Sequence, residues 1–322
     1  MTPYFSIIIP MYNRERFIGR AINSCLRQAY ENFELIIVDD GSLDKSVDIV
    51  KGYVDNRIKL ICHDVNRGVG PARNTGVSVA TGKWVVFFDS DDELLPEALS
   101  TIYRRSIEVD ENVSRMLFMG QVDTGQFSPD PPLKEEFWDF ITYIKWMESV
   151  FGRRGDSLPI LRRVTFNKVR FYNDKTLEGP YHLDFMKQFN AMSFPDVIAL
   201  YHQDANNQLT KPNMIRAIEN SLDQVKSGEI SLKNHGEALK KYAPRIYKSH
   251  ISGLATLCFL SGNRVKGIKY SIFSLTDNFF SPKNWGILLF GLMGPIPLAW
   301  MKSFRSSILI LYKRGKTIVN VF

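Results

Sequence analysis

Residues 84–92 read WVVFFDSDD, five apolar residues that run straight into a cluster of carboxylates. Trp84–Phe88 shows no polar alternation, as expected of a strand covered on both faces, and it ends on Asp89-Ser90-Asp91-Asp92. The same grammar recurs upstream. Phe5–Ile9 (FSIII) is closed by Pro10 and followed by Tyr12-Asn13. Ile18, Ala21, Ile22, Cys25 and Leu26 then repeat at helical spacing. Leu35–Val38 is a second strand closed by Asp39-Asp40-Gly41-Ser42, and Asp44 is placed to cap a helix carrying Val47, Val50 and Val54. Ile58–Cys62 is a third strand, and Val69–Ala80 a short helix with Gly82 just past its end. The βαβαβαβ order predicts an α/β fold, a mostly parallel sheet with helices on both faces. Ligands in such sheets sit at the carboxyl ends of the strands. Tyr12-Asn13, Asp39-Asp40 and Asp89–Asp92 all fall at such ends, which predicts a single site.

Beyond residue 97 the pattern is looser. Ser114–Met119 and Ile198–Tyr201 read as strands, Asp123–Leu133 as a loop holding Pro129, Pro131 and Pro132, and Phe137–Phe151 as an aromatic-rich helix. From Asn213 onward the spacing is helical, with Met214, Ile218, Leu222 and Val225 on one face and Ile251–Leu260 as a further apolar helix. The division expected is an α/β domain over 1–210 and a helical extension over 211–322 that ends in an apolar and basic segment, 283–322.

The chain has 322 residues, 23% of them charged and 12% aromatic, which rules out a disordered or low-complexity chain. Cys25, Cys62 and Cys258 are too few and too scattered for a disulfide scaffold or a thiolate zinc site; they suit a reducing compartment, and buried packing is expected for each. No charged and apolar leader pattern opens the chain, so no signal peptide is expected. The net charge is +7, but Asp277 is the last acidic residue, and Lys283, Lys302, Arg305, Lys313, Arg314 and Lys316 follow it. Residues 1–277 therefore carry only +1. A basic nucleic-acid-binding face on the body is not expected. Amid those cations lies the uncharged run 284–301, NWGILLFGLMGPIPLAWM. Gly286, Gly291, Gly294, Pro295 and Pro297 argue against one straight spanning helix. Trp285, Trp300 and the flanking cations instead suit a segment, 283–322, lying at a membrane surface.

The clusters point to chemistry. Asp89, Asp91 and Asp92 repel one another unless a cation is present, and hard oxygen ligands suit Mg2+ or Mn2+ held through one or two carboxylates plus substrate phosphates. Asp39 and Asp40 can accept hydrogen bonds from a base or ribose, although D-D-G-S is also good turn sequence. Asn66–Asn74 (NRGVGPARN) offers a glycine-rich helix start to a diphosphate, with Arg73 as a cation.

Taken together, FSIIIPMYNRERFIGRAINSCL, FELIIVDDGSLDKS and NRGVGPARNTGVSVATGKWVVFFDSDDE resemble the family-2 glycosyltransferases of the GT-A fold, in order and spacing, over residues 5–97. The resemblance implies a Rossmann-like sheet, a nucleotide-sugar donor, a divalent cation and inversion at the anomeric carbon. It matches Pro10, Tyr12 and Asn13 to the first nucleotide-contacting turn and Asp39, with Asp40 beside it, to the acid facing the base. Arg73 and Asn74 match the A-R-N segment near the donor, Asp89 the first acid of the metal motif near the ribose, and Asp91 the acid that reaches the cation. Asp92 matches an extra acid on the acceptor side. The family's catalytic base stands in a Glu-Asp pair at a helix start; here the match is Leu183-Asp184, with Glu178 and Asp174 as alternatives. YHQDANNQLT resembles a later segment in which a His faces the metal, leaving His202 or Asp204 as additional metal candidates.

The mechanism this implies is one step: a base such as Asp184 takes a proton from an acceptor hydroxyl, which displaces the diphosphate. With the basic apolar tail, the acceptor expected is a saccharide on a polyprenyl diphosphate, and the place is the cytoplasmic face of the cell membrane, in polysaccharide or O-antigen assembly. A nicotinamide dehydrogenase would want G-x-G-x-x-G after the first strand, where this chain has PMYNRE. A metal-dependent phosphohydrolase using FFDSDD, or a non-catalytic membrane-bound scaffold, remain the rival readings.

Overall fold

The computed structural model describes residues 2–152, 155–173, 178–203, 218–277 and 279–298. Its contacts separate into two compact units, residues 1–208 and 209–322.

In the first unit, β1 (Phe5–Met11), α1 (Ile18–Leu26), β2 (Phe33–Asp39), α2 (Ser46–Lys51), β3 (Ile58–Cys62), α3 (Val69–Val79) and β4 (Trp84–Phe87) follow one another as the hydrophobic pattern predicts. After them come β5 (Glu93–Leu94), α4 (Ala98–Glu108), β6 (Val113–Val122), β7 (Phe127–Ser128), β8 (Glu136–Trp138), α5 (Phe140–Ser149), β9 (Leu158–Arg162), α6 (Glu178–Gln188) and β10 (Asn190–Tyr201). All ten strands join one sheet in the order β3-β2-β1-β4-β9-β6-β10-β5, with β7 paired to β6 and β8 to β10. β1 is parallel to both β2 and β4, and β10 is parallel to β6, while β9 runs antiparallel between β4 and β6. The expected α/β fold is therefore present: the sheet is parallel through β3, β2, β1 and β4 and again through β6 and β10, while β9 and the short strands β5, β7 and β8 run antiparallel to their neighbours.

One face of the sheet carries the main core. Phe5, Ile7, Ile9, Leu35, Ile37, Trp84 and Val86 pack there against Ile18 and Ile22 of α1, Val50 of α2 and Leu99 and Ile102 of α4. On the opposite face, Phe87 meets Phe166 and Phe171 edge-on, and Phe171 stacks on Tyr181 of α6 at 3.8 Å between ring centroids. Burying whole aromatic rings on that face removes large apolar areas from water.

Several elements differ from the sequence expectation. The helix after Asp44 ends at Lys51, and Val54 stands fully in solvent. Asp44 turns its carboxylate to the backbone N–H groups of Ser46 and Glu15, and Lys45 occupies the cap position. The stretch 137–151 divides into β8 and α5, because Asp139 accepts a hydrogen bond from the Thr142 N–H and starts the helix there. β9 lies in a segment whose sequence carries no alternation. The last strand begins at Asn190, eight residues before the apolar stretch that announces it. Of the cysteines, Cys25 and Cys258 are buried as expected, but Cys62 is exposed.

A buried carboxylate ties the sheet's lower edge. Glu34 sits opposite Ser6 in the β1–β2 register. Its Oε1 accepts from Ser6 Oγ (2.7 Å), Thr81 N (2.6 Å) and Thr81 Oγ1 (2.8 Å), and its Oε2 accepts from Lys59 Nζ (2.7 Å). Burial alone would raise its pKa, but the hydrogen bonds from Lys59, Ser6 and Thr81 overcome it and bring the group down to about 2. A carboxyl with a depressed folded-state pKa stabilises the fold above its ordinary pKa and loses that contribution as pH falls through the folded value. Glu34→Gln is thus expected to cost about 1–3 kcal/mol near neutral pH. Urea melts should show the gap from wild type closing as pH falls from about 4.5 toward about 2; a gap that stays constant with pH would show that the charge of Glu34 is not what matters.

The second unit is helical: α7 (Ser221–Tyr242), α8 (Pro244–Leu260), α9 (Arg264–Asp277) and α10 (Pro282–Met293). Its core gathers Ala255, Phe259, Leu260, Ile287 and Leu298, with Val225, Leu254 and Cys258 in a neighbouring cluster. Gly291 of α10 lies so close to the Phe259 ring that a Cβ there would stand 2.3 Å from it, so only glycine lets the two helices approach this far. α10 stops at Gly294, whose φ is +120°. No described helix is long and apolar enough to cross a membrane.

Candidate active site

The carboxyl ends of β1, β2 and β4 lie side by side, because Met11 pairs with Asp39 and Ile8 with Phe87 in the parallel register. The polar clusters following these strands are stitched together. Asn13, with φ +52°, is the only described non-glycine residue in the left-handed region. Its N–H donates to Ser42 Oγ (2.9 Å) and its Oδ1 accepts from Leu43 N (2.8 Å). The Arg14 N–H donates to Ser46 Oγ (2.7 Å), and Arg14 Nε lies 3.9 Å from Asp91 Oδ2. Arg73 Nη2 lies 3.4 Å from Asp89 Oδ1, its guanidinium seated over Phe87 and Phe171. One edge of the sheet therefore holds Pro10, Tyr12, Asn13, Asp39, Asp40, Arg73, Asp89, Asp91 and Asp92.

The paired aspartates of β2 behave differently. Asp39 is 3% exposed; its Oδ2 accepts from Ser42 N (3.1 Å), while no described group hydrogen-bonds its Oδ1. Asp40 is equally buried but fully engaged. Its Oδ1 meets His63 Nδ1 (2.8 Å) and accepts from Arg67 N (2.9 Å), and its Oδ2 accepts from Gly68 N (2.7 Å). His63 Nε2 in turn lies 2.9 Å from Thr75 Oγ1 on α3. Asp40 thus shapes the loop leading into α3. Gly41 makes the turn possible: its φ is +76°, and a Cβ would stand 2.8 Å from the Val65 backbone. Asn74 clasps the chain at Phe171, its Nδ2 donating to the carbonyl (2.8 Å) and its Oδ1 accepting from the N–H (3.1 Å).

In the acidic loop after β4, Asp91 and Asp92 are buried close to one another and to Asp89. Burial, then the neighbouring Asp89, raise the pKa of Asp91, although Arg14 opposes this. Burial and Asp89 push Asp92 up to about 8, against the hydrogen bond its Oδ1 accepts from His202 N (3.0 Å). Carboxylates so placed favour a bound cation. Among the described residues no three His, Cys, Asp or Glu side chains form a ready metal cluster. One or two carboxylates with diphosphate and water oxygens suit Mg2+ or Mn2+, so the residues present fit such an ion. His202 Nε2 is turned to Glu93 Oε1 at 2.8 Å, and Glu93 also faces Arg20 Nε at 3.9 Å. Asp204, the other additional metal candidate, lies outside the described residues.

Of the candidate bases, Asp184 lies on α6, half-buried, and Tyr172 Oη donates to its Oδ2 at 2.5 Å. Burial and that contact raise the Tyr172 hydroxyl to about 12, so it stays a donor near neutral pH. Glu178 opens α6; Asp174 lies outside the described residues. Arg14, His63, Glu93 and Tyr172 escaped the sequence reading. Arg14 lies inside the matched stretch FSIIIPMYNRERFIGRAINSCL but was given no role there, and the partners of Arg14 and Tyr172 are 77 and 12 residues away.

Residues 6–209 match the model of glycosyltransferase family 2. The chain belongs to that family. It is 40% identical over 202 residues to the uncharacterized glycosyltransferase YibD of Escherichia coli K12, covering 59% of this chain and 58% of that protein. Over 87 residues it is 44% identical to WfgD of Escherichia coli, a UDP-Glc:alpha-D-GlcNAc-diphosphoundecaprenol beta-1,3-glucosyltransferase, covering 27% of this chain and 34% of that one. The match thus spans little more than half of the first relative's length and a third of the second's. The fold is shared with the mannosyltransferase PcManGT of Pyrobaculum calidifontis, solved with GDP-Man and Mn2+, at a TM-score of 0.54 and 17% identity, over 94% of this chain and 88% of that one.

Proposed function

We propose that the protein is an inverting glycosyltransferase. It moves a sugar from a nucleotide-sugar donor, first among them a UDP-sugar, to a saccharide acceptor with the help of Mg2+ or Mn2+. The observation that carries this reading is Asp39: a carboxylate 3% exposed, with one oxygen that no described group hydrogen-bonds, at the strand edge that also bears Asp91. A buried, unpaired carboxylate oxygen costs free energy until a donor meets it, and the N–H of a nucleobase supplies one. Residues 1–210 form the catalytic domain in this reading, and 211–322 the helical extension.

Pro10, Tyr12 and Asn13 line the base, and Asp39 accepts from it. Asp40 and Asn74 hold the walls of the site through His63, Gly68 and Phe171, and Arg73 and Asp89 flank the ribose and diphosphate. Asp91, with Asp89, would hold the divalent cation, which would supply positive charge to offset that of the departing diphosphate. Asp184 removes the proton from the acceptor hydroxyl, and the oxygen attacks the anomeric carbon from the face opposite the diphosphate. The name of WfgD, and the cationic apolar tail, support a polyprenyl-diphosphate-linked acceptor, cell-surface polysaccharide of O-antigen type as the product, and a peripheral place on the cytoplasmic face of the membrane. The Mn2+ complex of PcManGT supports the ion.

Thermal melts with UDP-, GDP- and dTDP-sugars, each with Mg2+ or Mn2+, test the reading, since a ligand that binds only the folded state raises Tm. A UDP-sugar is expected to raise it, and Asp39→Ala to abolish the rise. No shift with any nucleotide sugar would defeat the transferase reading; a shift equal in Asp39→Ala would move the base elsewhere.

A further inference from the structure

α10 is apolar on two opposite sides. Its inward stripe of Asn284, Ile287 and Gly291 is buried. At 100° per residue, Leu289 and Met293 lie on the other side of the helix, and they are 57% and 68% exposed. Phe290 and Trp285, each 37% exposed, stand beside them. A helix facing water on that side would carry polar residues there. The surface continues upstream of the apolar run, where the Trp285 ring meets Phe279, 59% exposed, at 5.5 Å between ring centroids, and Phe279 meets Phe280, 89% exposed, at 5.6 Å. Single exposed apolar residues are ordinary, but a contiguous set marks a surface with a partner.

Two observations say which partner. Residues 278–322 hold six Lys or Arg and no Asp or Glu, and one of them, Lys283, stands exposed in the first turn of α10. A second copy meeting this surface about a two-fold axis would bring two such cationic segments together, whereas an anionic leaflet accepts both the charge and the rings. Moreover, the Trp285 Nε1–H already donates to the Phe279 carbonyl at 2.8 Å. The ring can therefore leave water without abandoning a hydrogen bond.

We propose that Phe279, Phe280, Trp285, Leu289, Phe290 and Met293 form a lipid-contacting surface that seats the helical unit in the headgroup region of an anionic bilayer. With its 12 residues, α10 is about 18 Å long. That is too short for a hydrocarbon core of about 30 Å, so it lies in the plane of the membrane. The inference deepens the membrane placement proposed above by naming the residues that touch lipid. It is independent of the donor site.

Co-sedimentation of the full chain with phosphatidylcholine vesicles, alone or with about one-third phosphatidylglycerol, tests it. The wild type is expected to pellet with the anionic vesicles and less at high salt. L289D/M293D should weaken partitioning about tenfold or more with Tm unchanged, and so should Phe280→Ser, a change at an exposed turn. Three outcomes overturn the proposal: no wild-type binding, variants that pellet like the wild type, or a wild-type dimer that L289D/M293D makes monomeric without any lipid binding. If vesicle binding is seen but no nucleotide sugar shifts Tm, the surface stands and the transferase reading fails; the reverse result removes the surface alone.

Discussion

Asp91→Asn is expected to lower divalent-cation-dependent transfer by about a thousandfold, the largest loss from any one substitution in the acidic loop. Asp91 is a largely buried carboxylate, 15% exposed in its side chain, with Arg14 Nε 3.9 Å away; burial first, and then repulsion from Asp89, raise its pKa. Removing its charge relieves that repulsion, so the variant should fold at least as stably as the wild type in the absence of metal. Loss of activity together with a retained or raised Tm is therefore the signature sought. The measurement is release of nucleoside diphosphate from the sugar nucleotide that shifts Tm, titrated with Mn2+ and with chelator. Activity that persists in Asp91→Asn, or that survives chelation, would remove the ion from the reaction. Asp89→Asn should be milder, since that side chain is 60% exposed and its oxygen faces the Arg73 guanidinium at 3.4 Å.

Asp184→Asn should leave donor binding intact and lower turnover by about a hundredfold to ten-thousandfold, the range for losing a positioned general base. The isosteric amide can keep the contact with Tyr172 Oη, so the helix is not expected to shift. Donor affinity by thermal shift and turnover by diphosphate release separate the two effects: kcat falls while the donor concentration for half-maximal shift is unchanged. A fully active Asp184→Asn would transfer the role to Glu178, at the start of the same helix, or to Asp174. A variant that loses donor binding as well would mark Asp184 as part of the nucleotide pocket.

Legibility along the chain follows how local each signal is. The strands of the first ninety residues are apolar in unbroken runs because both sheet faces are covered, and those runs stop where the polar tips begin. The residues at the tips were legible for the same reason. Asp40 and Asn74 show the limit of such reading: each stands in a motif that the family resemblance assigns to the donor, yet both oxygens of Asp40 are taken up by His63, Arg67 and Gly68, and the amide of Asn74 by Phe171. β9 was not legible. It enters antiparallel between two strands from distant parts of the chain, and that is a matter of pairing rather than periodicity.

By itself, the sequence determined the alternation of strands and helices, the common edge on which the acidic tips gather, and the family, because each depends on short-range pattern and spacing. Tertiary structure alone decided which charges are compensated: that Arg14 comes to Asp91, that Tyr172 comes to Asp184, and that, among the described residues, Asp39 keeps an oxygen without a partner while Asp40 keeps none. It also decided which side of α10 is left uncovered. The physical reason is that hydrogen bonds and electrostatic interactions reach only a few ångströms through space, and folding, not residue order, sets those distances.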